Sequence, residues 1–164
     1  MKRVIIIGCP GAGKSTFARK LAAKTGLPLH YLDLIWHRAD RSTVSCEEFD
    51  ERLDDILAAD RWIIDGNYLR TLQRRLDRCD TVFFFDLPVE ECLKGAIERL
   101  GKEREDMPWQ DTELDEDFRK WIIGFPEFQL PVINLLLSMH TPATVIRFTD
   151  RQQTDEFLSK AKLS

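Results

Sequence analysis

Short apolar runs alternate along this chain with stretches in which apolar residues recur every three or four positions. Val4-Ile5-Ile6-Ile7, Trp62-Ile63-Ile64 and Thr81-Val82-Phe83-Phe84-Phe85 are runs of the first kind, the pattern of strands buried on both faces. Residues 29–32, ending at Asp33, and 143–148 read as two further strands. Between them lie amphipathic helices. Phe17, Ala18, Leu21 and Ala22 share one face, as do Phe49, Leu53, Ile56 and Leu57, and then Cys92, Leu93, Ala96, Ile97 and Leu100. Helices are also predicted over 68–78 with Leu69, Leu72 and Leu76 inward, over 114–121, over 127–138 with a break near Pro131, and around Phe157, Leu158 and Ala161. Gly26 with Pro28 just beyond stops the first helix, and Ser45-x-x-Glu48 is a capping box that opens the next. Residues 101–113 are polar and aperiodic, and read as a mobile loop or short lid.

Strands that alternate with helices imply right-handed crossovers and a parallel sheet, an α/β fold. Ligands in such folds bind at the carboxyl ends of the strands. Gly8, Asp33, Asp65 and Asp86 each sit where a predicted strand ends.

The first strand runs straight into Gly8-Cys9-Pro10-Gly11-Ala12-Gly13-Lys14-Ser15-Thr16, which fills every fixed position of G-x-x-x-x-G-K-[ST]. Glycines let successive backbone N–H groups curl around an anion. The following helix adds the positive end of its dipole. Lys14 supplies a mobile charge for the β- and γ-phosphates, and the Ser15 hydroxyl is a Mg²⁺ ligand. A glycine-rich turn that merely joins strand to helix is the plainer reading, but the buried strand before and amphipathic helix after are the context a nucleoside triphosphate site requires.

At 164 residues, 43% apolar and 32% charged, the chain suits one soluble domain with a sizeable core. No stretch reaches the roughly 18 apolar residues of a membrane helix. The basic pair before Val4 precedes too short a run for a signal peptide, so a cytoplasmic, membrane-free protein is expected. Cys9, Cys46, Cys79 and Cys92 form no C-x-x-C pair, which disfavours metal or disulfide readings. Cys9 lies in the anion loop, where N–H groups can lower a thiol pKa; a small filler is the simpler role. A net charge of −4 argues against a free-standing duplex-DNA binder and leaves room only for a local basic patch.

Asp65 closes an apolar run as a Walker-B aspartate does, and would hold Mg²⁺ across from Ser15; an Asp-Gly turn is the alternative. Asp33 is placed to orient or deprotonate an acceptor hydroxyl, or to cap the next turn. Asp86, before Leu87-Pro88, reads as a turn residue. Phosphoryl transfer calls for cationic clamps. Arg70 is the candidate nearest the strand ends, while Arg74 and Arg78 read as a solvated face. Arg99, Lys102 and Arg104 border the lid and would close over the triphosphate unless they are only a solvated cluster. Trp36, His37 and Tyr68 are candidate walls of an acceptor pocket. His30 and His140 read as structural.

The Gly8–Thr16 motif resembles the P-loop of adenylate-kinase-like nucleoside and small-molecule kinases. Within that group, Ile7-Gly8-Cys9-Pro10-Gly11, Tyr31-Leu32-Asp33, Arg61-Trp62-Ile63-Ile64-Asp65-Gly66-Asn67-Tyr68 and Trp121-Ile122-x-x-Phe125-Pro126 look like DNA topology modulation proteins. The resemblance implies a P-loop NTPase fold with a five-stranded parallel sheet in the order 2-3-1-4-5. It also implies an acceptor region near 34–60, a lid near 100–113 and ATP binding. By the same analogy the adenine would lie between Arg99 and Thr149-Asp150-Arg151. Adenylate kinases carry Gly-Thr after the GK pair and Asp-Gly-Phe-Pro-Arg after strand three. Here the residues are Ser15-Thr16 and Asp65-Gly66-Asn67-Tyr68-Leu69-Arg70, which argues against AMP as acceptor.

Two functions follow. The first is an ATP- and Mg²⁺-dependent phosphotransferase acting on a small-molecule or nucleotide acceptor. Gly8, Pro10, Gly11, Ala12, Gly13, Lys14, Ser15 and Thr16 would hold the nucleotide, and Ser15 and Asp65 the metal. Lys14, Asp33, Arg70, Arg99 and Arg104 would carry the reaction. The alternative is a nucleotide-dependent regulator of DNA topology.

Overall fold

Five parallel strands in the order β2-β3-β1-β4-β5 form the centre of the molecule in its computed structural model, which describes residues 1–139 and 142–160. His140 and Ala161 lie outside the described residues. The strands are β1 (Arg3–Gly8), β2 (Leu29–Tyr31), β3 (Trp62–Asp65), β4 (Thr81–Phe85) and β5 (Thr144–Phe148). Val4 to Ile7 on the central strand are fully buried, as the uninterrupted apolar run requires. Register aligns the carboxyl ends: Tyr31 pairs with Asp65, Ile6 with Asp65, and Gly8 with Phe85. All the strand-end chemistry therefore faces one edge of the sheet.

Helices α1 (Lys14–Thr25), α3 (Cys46–Ala58) and α5 (Val89–Glu98) follow the apolar periodicity. Gly26 caps α1 in a left-handed conformation, and the Ser45 hydroxyl accepts from the Glu48 N–H to start α3. Phe17 of α1 packs edge-on against Phe83 and Phe85 at 4.8 and 5.4 Å. This aromatic contact fixes α1, and with it the phosphate loop, against β4.

Four boundaries differ from the sequence expectation. β2 stops at Tyr31, and Asp33 lies in the first turn of the short helix α2 (Leu32–Trp36) rather than at a strand end. The 68–78 helix shrinks to a 3₁₀ turn (Leu69–Thr71) and α4 (Leu72–Leu76), because Tyr68 takes φ 39°, a left-handed conformation no helix admits. The 114–121 segment becomes α6 (Glu116–Phe128), which passes through Pro126. The break then falls at Gln129. α7 (Leu130–Ser138) follows, with Pro131 in its first turn, where a missing N–H costs no bond. Among the described residues no single helix is long and apolar enough to cross a membrane; α6 and α7 reach that length only jointly, across a 42° bend. The last helix, α8, spans Arg151–Lys160.

Gly8 tests how tightly β1 is held. Its φ is 137°, and a Cβ there would stand 2.2 Å from the Phe85 carbonyl oxygen. Gly13 has φ 98° but an added Cβ would meet nothing within 4 Å. Gly8→Ala should therefore cost about 3 kcal/mol or more in urea unfolding, and Gly13→Ala only about 1 kcal/mol.

Candidate functional site

The phosphate loop leaves β1 at Gly8 and enters α1 at Lys14. Gly8, Gly11 and Gly13 all have positive φ. Gly11 is pressed onto α5: a Cβ would fall 2.0 Å from the Cys92 carbonyl oxygen. The Lys14 ammonium folds back on the loop and donates to the Cys9 carbonyl at 2.9 Å. The Arg151 guanidinium donates to the Gly11 and Glu91 carbonyls at 3.1 and 3.2 Å. Cys9 is buried, and its thiol is pushed up by a hydrogen bond with Cys92 and by burial. It fills the space behind the loop.

Three oxygens converge beside Lys14. The Ser15 hydroxyl stands 2.7 Å from Asp65 Oδ2 and 2.9 Å from Asp106 Oδ2. Asp65 is 5% exposed, and burial pushes its carboxyl up to about 6 despite Lys14 and Ser15. Its Oδ1 is buried without a partner. Asp106 belongs to the 101–113 segment. Burial acts to raise its carboxyl, but Arg104, bonded to both its oxygens at 3.1 and 2.7 Å, outweighs that and holds it below the usual range. Among the described residues no three His, Cys, Asp or Glu side chains form a metal cage. A hydroxyl and an orphaned carboxylate oxygen instead suit Mg²⁺, which keeps waters and takes phosphate oxygens.

Across from the phosphate loop, Asn67 and Arg75, to which the sequence patterns assigned no role, hold the segment that carries Tyr68. Asn67 accepts from the Gly8 N–H at 2.8 Å and donates to the Gly8 carbonyl at 2.7 Å. Arg75 is fully buried and donates to the carbonyls of Gly66 (2.8 Å), Tyr68 (3.1 Å) and Asn67. Burial lowers its guanidinium to about 9, so it stays cationic at neutral pH. The helical row of Arg70, Arg74 and Arg78 hid it. Arg75 instead shares the inward face of Leu72 and Leu76, and that is the signal that could have found it. Tyr68, held in its left-handed conformation, donates its phenol to Asp33 Oδ1 at 2.7 Å. Burial and the Asp33 charge push that phenol up.

Two cavities open at this edge, one of about 720 Å³ and one of about 310 Å³. Lys14, Ser15, Arg99, Arg104 and Asp106 line both. The larger one takes in Pro10, Asp33, Asp65 and the predicted walls Trp36, His37 and Tyr68, along with Trp109, Phe118 and Trp121. The smaller one takes in Gly11, Gly13, Thr16, Lys102 and Arg151. Gly8 and Ala12 line neither and frame the loop from behind. Arg99 lies over the Phe118 ring at 5.5 Å. Arg70 departs from expectation. It lines neither cavity and forms a two-point pair with Asp50 at 3.0 and 2.6 Å, half exposed. Carboxylates on the neighbouring α3 draw Arg70 and Arg74 sideways. Asp86 also lies off the site, paired with Arg147 at 3.5 Å.

A phosphate loop, a strand-end aspartate and a segment folded over both define a P-loop kinase architecture. Solved structures agree on the fold. Shikimate kinase from Acinetobacter baumannii in complex with shikimate superposes with a TM-score of 0.64, at 16% identity, over 98% of this chain and 90% of that one. Shikimate kinase from Bacteroides thetaiotaomicron gives 0.62 at 19%, over 97% and 95%. A sugar kinase from Janibacter gives 0.53 at 16%, over 98% and 91%. No family model matches the chain. An adenylate kinase of Mycolicibacterium vanbaalenii is 32% identical over 142 residues, covering 68% of this chain and 74% of the relative. The chain belongs to the adenylate-kinase family of P-loop kinases.

Arg75→Met removes a fully buried guanidinium that serves three backbone carbonyls and should cost about 3 kcal/mol in urea unfolding. Arg75→Lys, with one shorter donor head, should recover less than half of that loss.

Proposed function

We propose that this protein transfers the γ-phosphate of ATP to a hydroxyl of a small molecule or nucleotide held in the larger cavity. One observation carries the reading: the two cavities meet at Lys14, Ser15, Arg99 and Arg104, so a donor in the smaller and an acceptor in the larger would share one seam. Backbone N–H groups of the loop and Lys14 would bind the β- and γ-phosphates. The base would lie towards Arg99 and Arg151. The acceptor oxygen attacks the γ-phosphorus as the bond to the β–γ bridging oxygen breaks, leaving ADP. Asp33 stands on the acceptor side. Its Oδ1 takes the Tyr68 phenol, which leaves Oδ2 to orient the acceptor hydroxyl and take its proton. Arg99 and Arg104, at the seam, would balance charge spread over the moving phosphoryl group. Ser15 and Asp65 would hold Mg²⁺, which when bound neutralises phosphate charge.

The acceptor wall narrows the choice. Trp36, Tyr68, Trp109 and Phe118 line the larger cavity together with the carboxylates Asp111, Glu113 and Asp115. Away from the seam its single arginine among the described residues is Arg41, which lies over the Trp109 ring at 5.3 Å. Such a wall favours a neutral or cationic hydroxyl compound with a flat apolar face over a dianionic nucleoside monophosphate.

ADP release from Mg-ATP, assayed against nucleoside monophosphates, nucleosides, sugar acids and aminoglycosides, should be stimulated by an acceptor of the favoured class. Lys14→Ala should lower that turnover by about a thousandfold while the chain stays folded. Undiminished turnover in a folded Lys14→Ala protein overturns the mechanism.

A further inference from the structure

The 101–113 segment is folded shut over the phosphate loop. The Gly101 N–H donates to the Asp111 carbonyl at 2.8 Å. Trp109 donates its indole N–H to the Asp111 carboxylate at 2.9 Å and packs edge-on against His37 at 5.0 Å. From its middle, Asp106 reaches into the site and is 6% exposed.

The contact that Asp106 makes there is chemically incomplete. A serine hydroxyl has one hydrogen. Ser15 Oγ nevertheless stands within hydrogen-bond distance of two carboxylate oxygens, 2.7 Å from Asp65 and 2.9 Å from Asp106. The hydrogen can serve one of them. The other contact sets an oxygen lone pair against a carboxylate, in a pocket where the second Asp65 oxygen is buried and has no partner. A cation among these oxygens would satisfy all of them. Arg104 does not fill that role, because its guanidinium is bonded to Asp106 and approaches Asp111 at 3.7 Å. A carboxylate has lone pairs enough to keep Arg104 and still ligate a metal.

We infer that Asp106 is a third protein oxygen of the divalent-cation site, beside Ser15 and Asp65, so that the metal fastens the lid to the phosphate loop. This rests on the assignment of Ser15 and Asp65 to Mg²⁺. It adds that lid closure and metal binding are one linked event, and that the cation binds measurably without nucleotide.

The test uses the full chain without nucleotide and Mn²⁺ alone as the probe, with free Mn²⁺ read by electron paramagnetic resonance. Asp106→Asn, which keeps the side-chain shape, should weaken Mn²⁺ binding at least tenfold, and so should Asp65→Asn. In parallel, Mn²⁺ should slow tryptic cleavage after Lys102 in the unmodified chain and leave the Asp106→Asn rate unchanged. If the unmodified chain binds no Mn²⁺, or if Asp106→Asn binds it as tightly and keeps the protection, the inference falls while the phosphotransfer reading stands. If Asp65→Asn and Ser15→Ala also bind Mn²⁺ unchanged, the metal assignment beneath it falls as well.

Discussion

Both polar backbone groups of Gly8 are bonded to one side-chain amide, that of Asn67, and the site's geometry depends on that pairing. Gly8 ends the central strand in a conformation only glycine tolerates, hard against the Phe85 carbonyl. Its N–H and carbonyl sit where burial forbids leaving them unpaired. Asn67 answers both, and so ties the phosphate loop after β1 to the segment after β3. Behind it, the Arg75 guanidinium holds the carbonyls of residues 66 to 68. Asp65 lies just before this tied segment, and Tyr68 lies within it. The Ser15–Asp65 and Tyr68–Asp33 distances are thus consequences of one interlocked piece of backbone, with a buried cation as its keystone.

The strands were legible because strands buried on both faces must be apolar throughout, and the nucleotide loop was legible because its glycines and lysine have no other economical use. The adenylate-kinase-like family and the strand order could be read from the same residues. Asp33 and Tyr68 both line the larger cavity, yet neither ends a strand, and both sit in local structure that periodicity does not encode. A left-handed tyrosine leaves no apolar signature, and a five-residue helix spans too few turns for its pattern to recur. Arg75 and Asp106 were missed for another reason. A charged residue in a helix or a polar loop reads as solvated unless something shows that it turns inward, and what turns these two inward is contact far along the chain.

Arg70 and Arg104 show why charge alone misleads. Each forms a two-point pair with an aspartate. The Arg70 pair is about half exposed on its arginine side, where such pairs contribute about 1 kcal/mol or less and compete with water. The side chains of the Arg104 pair are only 11% and 9% exposed. There an ion pair has cost desolvation already, and it persists because the fold of the 101–113 segment fixes it. Sequence spacing favoured Arg70 and could not see that α3 offers it a carboxylate closer than the site.

Because the same few side chains line both cavities, the proposed phosphotransfer would carry its selectivity and its speed on different residues. Under that proposal a change at Lys14, Ser15, Arg99, Arg104 or Asp106 would be felt by donor and acceptor alike, so new acceptors could not be explored there without losing the donor. Aromatic walls that belong to the larger cavity alone, among them Trp36, His37, Trp109 and Trp121, would be free of that constraint. Divergence in what the fold phosphorylates would accumulate on those rings while the seam stays fixed, much as a lock is rekeyed without recasting its bolt.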